Sequence, residues 1–108
     1  MKFYYNGKLV RTSKTHNYNY ALIWFKDNGE LVTIACSEKL EVIEARKAES
    51  IKMNYKQGLE YMLDCNAKKY QHNELYRRTF TEAEIEQERK DLEKYKNELK
   101  IVKLEKVA

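Results

Sequence analysis

Short β-prone runs interrupted by glycine turns predict β-strands over the first third of the chain. Asn6-Gly7 separates two of these runs and favours a type I′ hairpin turn, because both central residues of that turn need positive φ. Asp27-Asn28-Gly29 separates two longer runs in the same way. Residues 1–36 are therefore predicted to form a four-stranded antiparallel sheet, with strands at Lys2–Tyr5, Lys8–Thr12, Tyr18–Lys26 and Leu31–Cys36.

Apolar residues recur at helical spacing from residue 37 to residue 66, which predicts a first long helix. Ser37 suits the N-cap of this helix, and Glu38 and Glu41 suit its first turn, where the helix dipole favours acidic groups. Gly58 lies inside the helix, where glycine costs about 1 kcal/mol relative to alanine. We therefore expect Gly58 to mark a slight bend or a close approach to the sheet.

A second long helix, residues 81–100, begins with the clearest local pattern in the chain. Thr81 and Glu84 have the spacing of a capping box, in which each side chain accepts a hydrogen bond from the other residue's backbone N–H. Phe80 and Ile85 occupy the two positions of a hydrophobic staple around that box. The pattern predicts Thr81 as the N-cap.

The remaining segments are extended in pattern. Aromatic and basic residues occupy even positions within residues 67–80, which admits a short hairpin with its turn near His72. The β-branched tail, residues 101–108, is expected to leave the second helix and add an edge strand to the sheet. Strands followed by helices are typical of the α+β class, so residues 1–108 are predicted to form a single α+β domain.

Charge is unevenly distributed along this chain of 108 residues, whose net charge is +4. Residues 1–36 carry five basic and two acidic side chains, and residues 65–81 carry four and one. If these two segments meet in space, they form a patch for an anionic partner. The alternative is an ordinary solvated surface rich in lysine.

The sequence has none of the common patterns on which enzyme mechanisms depend. It lacks a phosphate-binding loop, a dinucleotide-binding glycine pattern and a nucleophile elbow, and it contains only two histidines. We therefore predict a protein that is not an enzyme. No apolar run resembles a membrane span or a secretory signal, which predicts a cytoplasmic location and no membrane partner.

All the cysteines and histidines of the chain together make one set that zinc accepts, with two residues of each type. The spacings match no local zinc-binding motif, so the alternative is two buried thiols and two unrelated surface imidazoles. The predicted ligands of one structural zinc ion are His16, Cys36, Cys65 and His72.

Basic and aromatic residues alternate between the two predicted helices, a combination that suits phosphate contact and base stacking. The alternative is a solvated connecting segment. The predicted partner-binding residues are Lys68, Lys69, Tyr70, Tyr76, Arg77 and Arg78, with Arg11 and Lys14 from the N-terminal segment as additional members.

The first fourteen residues, Met1–Lys14, and the later stretch Leu99–Glu105 resemble small proteins encoded by phages and prophages of low-GC Gram-positive bacteria. Two groups of such proteins are similar. One is the anti-CRISPR proteins, some of which hold a structural zinc ion, and the other is the anti-Thoeris sponges, which sequester a cyclic ADP-ribose signal.

The first resemblance implies a non-enzymatic inhibitor of host immunity in the bacterial cytosol. Its partner would be the RNA-guided effector nuclease, whose interaction with DNA it would block. The second resemblance implies a sponge that sequesters a cyclic ADP-ribose-type nucleotide. For such a binder we expect Arg77 and Arg78 to hold phosphates and Tyr76 or Phe80 to stack on a base. A homo-oligomer without either activity is a third interpretation.

Overall fold

A computed structural model describes all residues from Met1 to Ala108. The chain divides into two compact units. The first unit comprises residues 1–49 and 97–108, and the second unit comprises residues 50–96. Strands occur only in the first unit and the second unit is helical, so the predicted α+β class is confirmed.

The first unit contains both predicted hairpins. The Asn6-Gly7 turn has positive φ at both residues, 50° and 79°, as a type I′ turn requires. Gly29 also has a positive φ, of 85°, in the second turn. The strands are β1 (Lys2–Tyr5), β2 (Lys8–Thr12), β3 (Tyr20–Phe25), β4 (Leu31–Ser37), β5 (Leu99–Lys103) and β6 (Glu105–Val107).

The prediction of a single four-stranded sheet is wrong, because the two hairpins belong to different three-stranded sheets. The strand orders are β2-β1-β6 and β4-β3-β5. The tail supplies the third strand of each sheet, since β6 pairs antiparallel with β1 and β5 pairs antiparallel with β3. The predicted C-terminal edge strand is therefore present, divided between two sheets.

One apolar cluster joins the two sheets of the first unit. Its buried members come from β1, β3 and the tail, and Leu104 between β5 and β6 donates its backbone N–H to the carbonyl of Asn19 over 2.9 Å. The cluster consists of Phe3, Ala21, Ile23, Val102 and Leu104. The tail thus contributes both backbone pairing and core side chains.

The first predicted helix begins at Leu40 rather than at residue 37. Ser37 ends β4, and its hydroxyl accepts a hydrogen bond from the backbone N–H of Lys39 over 3.1 Å. Ser37 therefore bonds in a turn before the helix, not as its N-cap. The helical residues are α1 (Leu40–Tyr55), a π-helical turn (Lys56–Glu60) and α2 (Tyr61–Asn66), which follow one another without a break.

Gly58 lies at the centre of the π-helical turn. A Cβ atom built on Gly58 would lie 2.9 Å from Cδ of Glu88 and still closer to its Oε1. Glu88 belongs to α3 (Glu82–Glu98), so the close approach expected at Gly58 is to a helix and not to the sheet. The absence of a side chain leaves room there for the Glu88 carboxylate.

The capping box at the start of α3 is confirmed. The backbone N–H of Glu84 donates to Oγ1 of Thr81 over 3.1 Å, and the backbone N–H of Thr81 donates to Oε1 of Glu84 over 3.3 Å. Phe80 and Ile85 are both buried in the apolar cluster of the second unit, as the staple predicts. The helix ends at Glu98, two residues before the predicted end.

The predicted hairpin within residues 67–80 is wrong, because this segment contains no strand. Lys68 adopts a left-handed φ of 55° after α2, and Glu74–Tyr76 form a short 3₁₀ helix. Asn73 caps this helix by accepting a hydrogen bond from the backbone N–H of Leu75 over 3.1 Å. A capped helical turn therefore replaces the extended arms that a hairpin needs.

Replacing Thr81 with alanine should lower the free energy of unfolding by about 1 kcal/mol, because it removes the hydroxyl that satisfies a backbone N–H of the first turn. Urea denaturation measures this loss. Thr79→Ala is the matched control at an exposed position two residues earlier and should leave the free energy nearly unchanged. Equal effects of the two substitutions would contradict the capping role.

Candidate partner-binding surface

The segment of residues 67–80 is fixed to α2 by side chains that bond its backbone. The amide of Asn66 donates to the carbonyl of Phe80 over 2.9 Å and accepts from the N–H of Phe80 over 2.7 Å. Both hydrogen bonds are partly buried. Asn66 therefore pairs with Phe80 much as a neighbouring strand would, and it fixes the end of the segment just before α3.

Two more side chains of α2 hold the middle of the segment at Leu75. The carbonyl of Leu75 accepts hydrogen bonds from the hydroxyl of Tyr61 over 2.8 Å and from the thiol of Cys65 over 3.5 Å. The side chain of Leu75 remains 66% exposed, more than any other large apolar residue of the chain. A single exposed leucine is ordinary on a protein surface. The fixed backbone that presents Leu75 is what makes it a candidate interface anchor, because little conformational freedom is lost on binding.

Four aromatic rings of α2 and this segment form a row. The ring centroids of Tyr70 and Tyr76 are 4.9 Å apart, those of Tyr76 and Tyr61 5.7 Å, and those of Tyr61 and Phe80 5.9 Å. Tyr70 is 46% exposed at the outer end of this row, whereas Phe80 is buried. The row ties the segment to the core of the second unit, formed by Leu59, Met62, Cys65, Phe80 and Ile85.

Two of the predicted basic residues, Lys69 and Arg77, have side-chain partners within the second unit. Lys69 lies 3.1 Å from the carboxylate of Asp64, and this contact raises the pKa of the Lys69 amine. Arg77 donates from Nε to the carbonyl of Gln71 over 3.3 Å. Lys68 follows α2 as an exposed side chain. Lys69 and Arg77 are positioned by the chain itself and still face solvent.

Arg78 has two partners. It pairs with the carboxylate of Glu84 over 3.6 Å, and its guanidinium carbon lies 4.5 Å from the ring centroid of Phe80. The side chain nevertheless remains 67% exposed, so an incoming anion could still reach it.

Arg11 and Lys14 belong to the first unit. Arg11 lies on β2 with its guanidinium carbon 5.6 Å from the ring centroid of Tyr18, and Lys14 is exposed in the loop after that strand. The sequence predicts that these two residues share one surface with the segment of residues 67–80. That stays a prediction.

Two of the four predicted zinc ligands lie together in the first unit. His16 and Cys36 line one cleft of about 330 Å³, and the His16 ring stacks on Tyr18 with centroids 5.4 Å apart. Burial raises the pKa of the Cys36 thiol, and the nearby Arg11 guanidinium opposes part of that rise.

The other two predicted zinc ligands, Cys65 and His72, belong to the second unit, where Cys65 is buried and His72 is exposed. No group of three or more histidine, cysteine, aspartate or glutamate side chains is arranged to hold a metal ion. The zinc site with all four ligands stays a prediction.

The sequence reasoning missed Leu75, Asn66 and Tyr61. Leu75 is an aliphatic residue within a strongly polar segment, and that isolation could have marked it as exposed. Asn66 and Tyr61 carry no comparable signal, because their partners lie 14 residues away in the chain.

No protein-family model matches the chain, and no curated protein or solved structure shows significant similarity to it. None of the helices is both long and apolar enough to cross a lipid bilayer.

Asn66→Ala should lower the free energy of unfolding by about 1–3 kcal/mol, because it leaves partly buried polar groups of Phe80 without partners. Chemical denaturation followed by circular dichroism measures the change. Asn97→Ala is the control, since Asn97 is exposed near the end of α3. An Asn66→Ala protein as stable as the control would show that this pairing does not hold the segment.

Alkylation of Cys36 should reach half its limiting rate at a higher pH than alkylation of a free cysteine, because only the thiolate reacts and burial disfavours it. Arg11→Gln should shift that midpoint to still higher pH, and Lys14→Gln is the matched control. Peptide mass spectrometry after iodoacetamide treatment gives the rate at Cys36 alone. A midpoint at or below that of free cysteine would contradict the burial of this thiol.

Proposed function

We propose that this protein is a non-enzymatic inhibitor of a host nucleic-acid defence protein. The observation that carries the proposal is the side chain of Leu75, 66% exposed on a backbone that Tyr61, Cys65 and Asn73 fix. A surface ordered before binding loses little conformational freedom on association, which favours tight binding. The resemblance of residues 1–14 to phage-encoded proteins supports an RNA-guided effector nuclease as the target.

The charge of the segment supports a partner with anionic groups. The four basic residues of the segment that contains Leu75 are all exposed: Lys68, Lys69, Arg77 and Arg78. The segment contains only one acidic residue, Glu74. A nuclease recognises DNA phosphates through cationic residues, which would repel this segment. The segment is instead suited to the phosphates of the guide RNA or to an acidic surface of the nuclease, and binding there would block access of DNA. Binding of this kind weakens as salt screens the exposed charges.

The alternative of a nucleotide sponge has less support. In that proposal Tyr76 or Phe80 stacks on a base, yet Tyr76 packs between Tyr61 and Tyr70, and Phe80 is buried beneath Arg78. A base would have to displace one of these neighbours. The exposed face of Tyr70 is better suited to a protein surface, where tyrosine rings contribute contact area at low entropic cost.

The proposal is tested by capturing partners from the host lysate on immobilised protein and then measuring the affinity of the captured target. The double substitution Arg77→Ala with Arg78→Ala should weaken binding roughly tenfold or more, and Leu75→Ala should do the same. If the target is a guide-loaded nuclease, the wild-type protein should block its DNA binding. At the same concentration, neither variant should block it.

The matched control removes two positive charges elsewhere, with Lys90→Ala and Lys96→Ala on exposed positions of α3. It should leave the affinity within about twofold of wild type. Affinity unchanged by both the arginine and the leucine substitutions would remove residues 67–80 from the interface. Release of a nucleotide from the heated protein, with no protein partner captured, would favour the sponge instead.

A further inference from the structure

A second surface of the helical unit is a groove between α2 and the first turns of α3. Its volume is about 540 Å³. Leu63, 36% exposed, forms one wall, and Ile85 is buried at its floor. The remaining lining residues are Glu82, Ala83, Glu86 and Arg89.

The groove is acidic at its rim. Glu82 and Glu86 are exposed, and the single cation there, Arg89, lies 3.7 Å from Glu86. Arg89 thus neutralises the charge of Glu86. The second carboxylate, that of Glu82, gives the rim a net negative charge. An apolar floor with an acidic rim suits an occupant that presents an apolar side chain flanked by cations.

This chain itself carries such an occupant. Leu75 and Tyr70 are its most exposed apolar side chains within residues 67–80, and Lys68 and Arg77 flank them as exposed cations. We propose that the groove receives the Leu75 region of a second copy of this protein. Opposite charges meet in this contact, whereas groove against groove would bring acidic rims together and Leu75 region against Leu75 region would bring cations together.

The contact joins two different surfaces, so each copy offers one groove and one Leu75 region. Two copies could engage each other reciprocally as a closed dimer, or successive copies could bind in a row. The proposal goes beyond the proposed function and needs no host target. Its experiments use the purified protein alone, so their failure leaves the target-binding proposal standing.

The test compares the wild-type full chain with three variants, each with one leucine replaced by serine. Analytical ultracentrifugation measures the association of each protein. Wild type should associate in a concentration-dependent manner, and added salt should weaken the association. Leu75→Ser and Leu63→Ser should each raise the dissociation constant roughly tenfold or more. Leu9→Ser, at a residue that is 55% exposed on β2, is the matched control and should leave it unchanged.

Mixing the variants gives the sharpest result. Leu63→Ser retains an intact Leu75 region, and Leu75→Ser retains an intact groove. At a concentration where each variant alone is monomeric, an equal mixture should therefore form a heterodimer. Glu82→Gln should also weaken wild-type association, and it leaves the apolar floor unchanged in case Leu63→Ser alters folding.

Three outcomes would overturn the proposal. They are a wild-type protein that stays monomeric up to about 1 mM, association that survives both leucine substitutions, and a mixture of folded variants that stays monomeric.

Discussion

The pairing of the C-terminal strands with both hairpins is the constraint on which the first unit depends. The hairpins belong to separate sheets. Strand β6 extends the β1–β2 hairpin, and strand β5 extends the β3–β4 hairpin. Val102 and Leu104 of the same stretch are buried in the shared core with Phe3. Each such side chain contributes about 1.5–3 kcal/mol through its burial. Without residues 99–107, each hairpin would be an isolated two-stranded ribbon, which is marginal in water.

This pairing is also the most distant along the chain. Lys2 pairs with Val107, and the whole helical unit lies between the two strands in sequence. Forming a contact of that separation costs more chain entropy than closing either hairpin, so local hairpins are expected to form before the sheets are completed. The strands β1 and β3 accordingly carry strong local turn chemistry at their ends, whereas β6 has only three residues and depends on the partner already formed.

The distance along the chain between contacting residues explains which features could be predicted from the sequence. The Asn6-Gly7 turn and the Thr81 capping box are fixed by neighbouring residues, and both were predicted correctly. The division into two sheets depends on which strand the tail selects, and no local pattern encodes that choice. In the segment of residues 67–80, Tyr70 and Tyr76 have the even spacing of a strand, yet the same spacing lets their rings pack across a turn. The basic residues of the candidate site were visible in the sequence, while the side chains that hold it, Asn66 and Tyr61, bond across 14 residues.

The π-helical turn at Lys56–Glu60 has a consequence for the phase of the helix that contains it. An i→i+5 turn accommodates one residue more than an α-helical turn, so everything after Glu60 is rotated by about 100° relative to an uninterrupted α-helix. The rotation places Met62 and Cys65 in the cluster that receives Phe80. A chain one residue shorter in this turn could form a regular and locally stronger helix, but it would direct those two side chains elsewhere. A regular α-helix would need one residue fewer in this turn than the packing of the second unit requires. The packing therefore sets the rotational phase of α2.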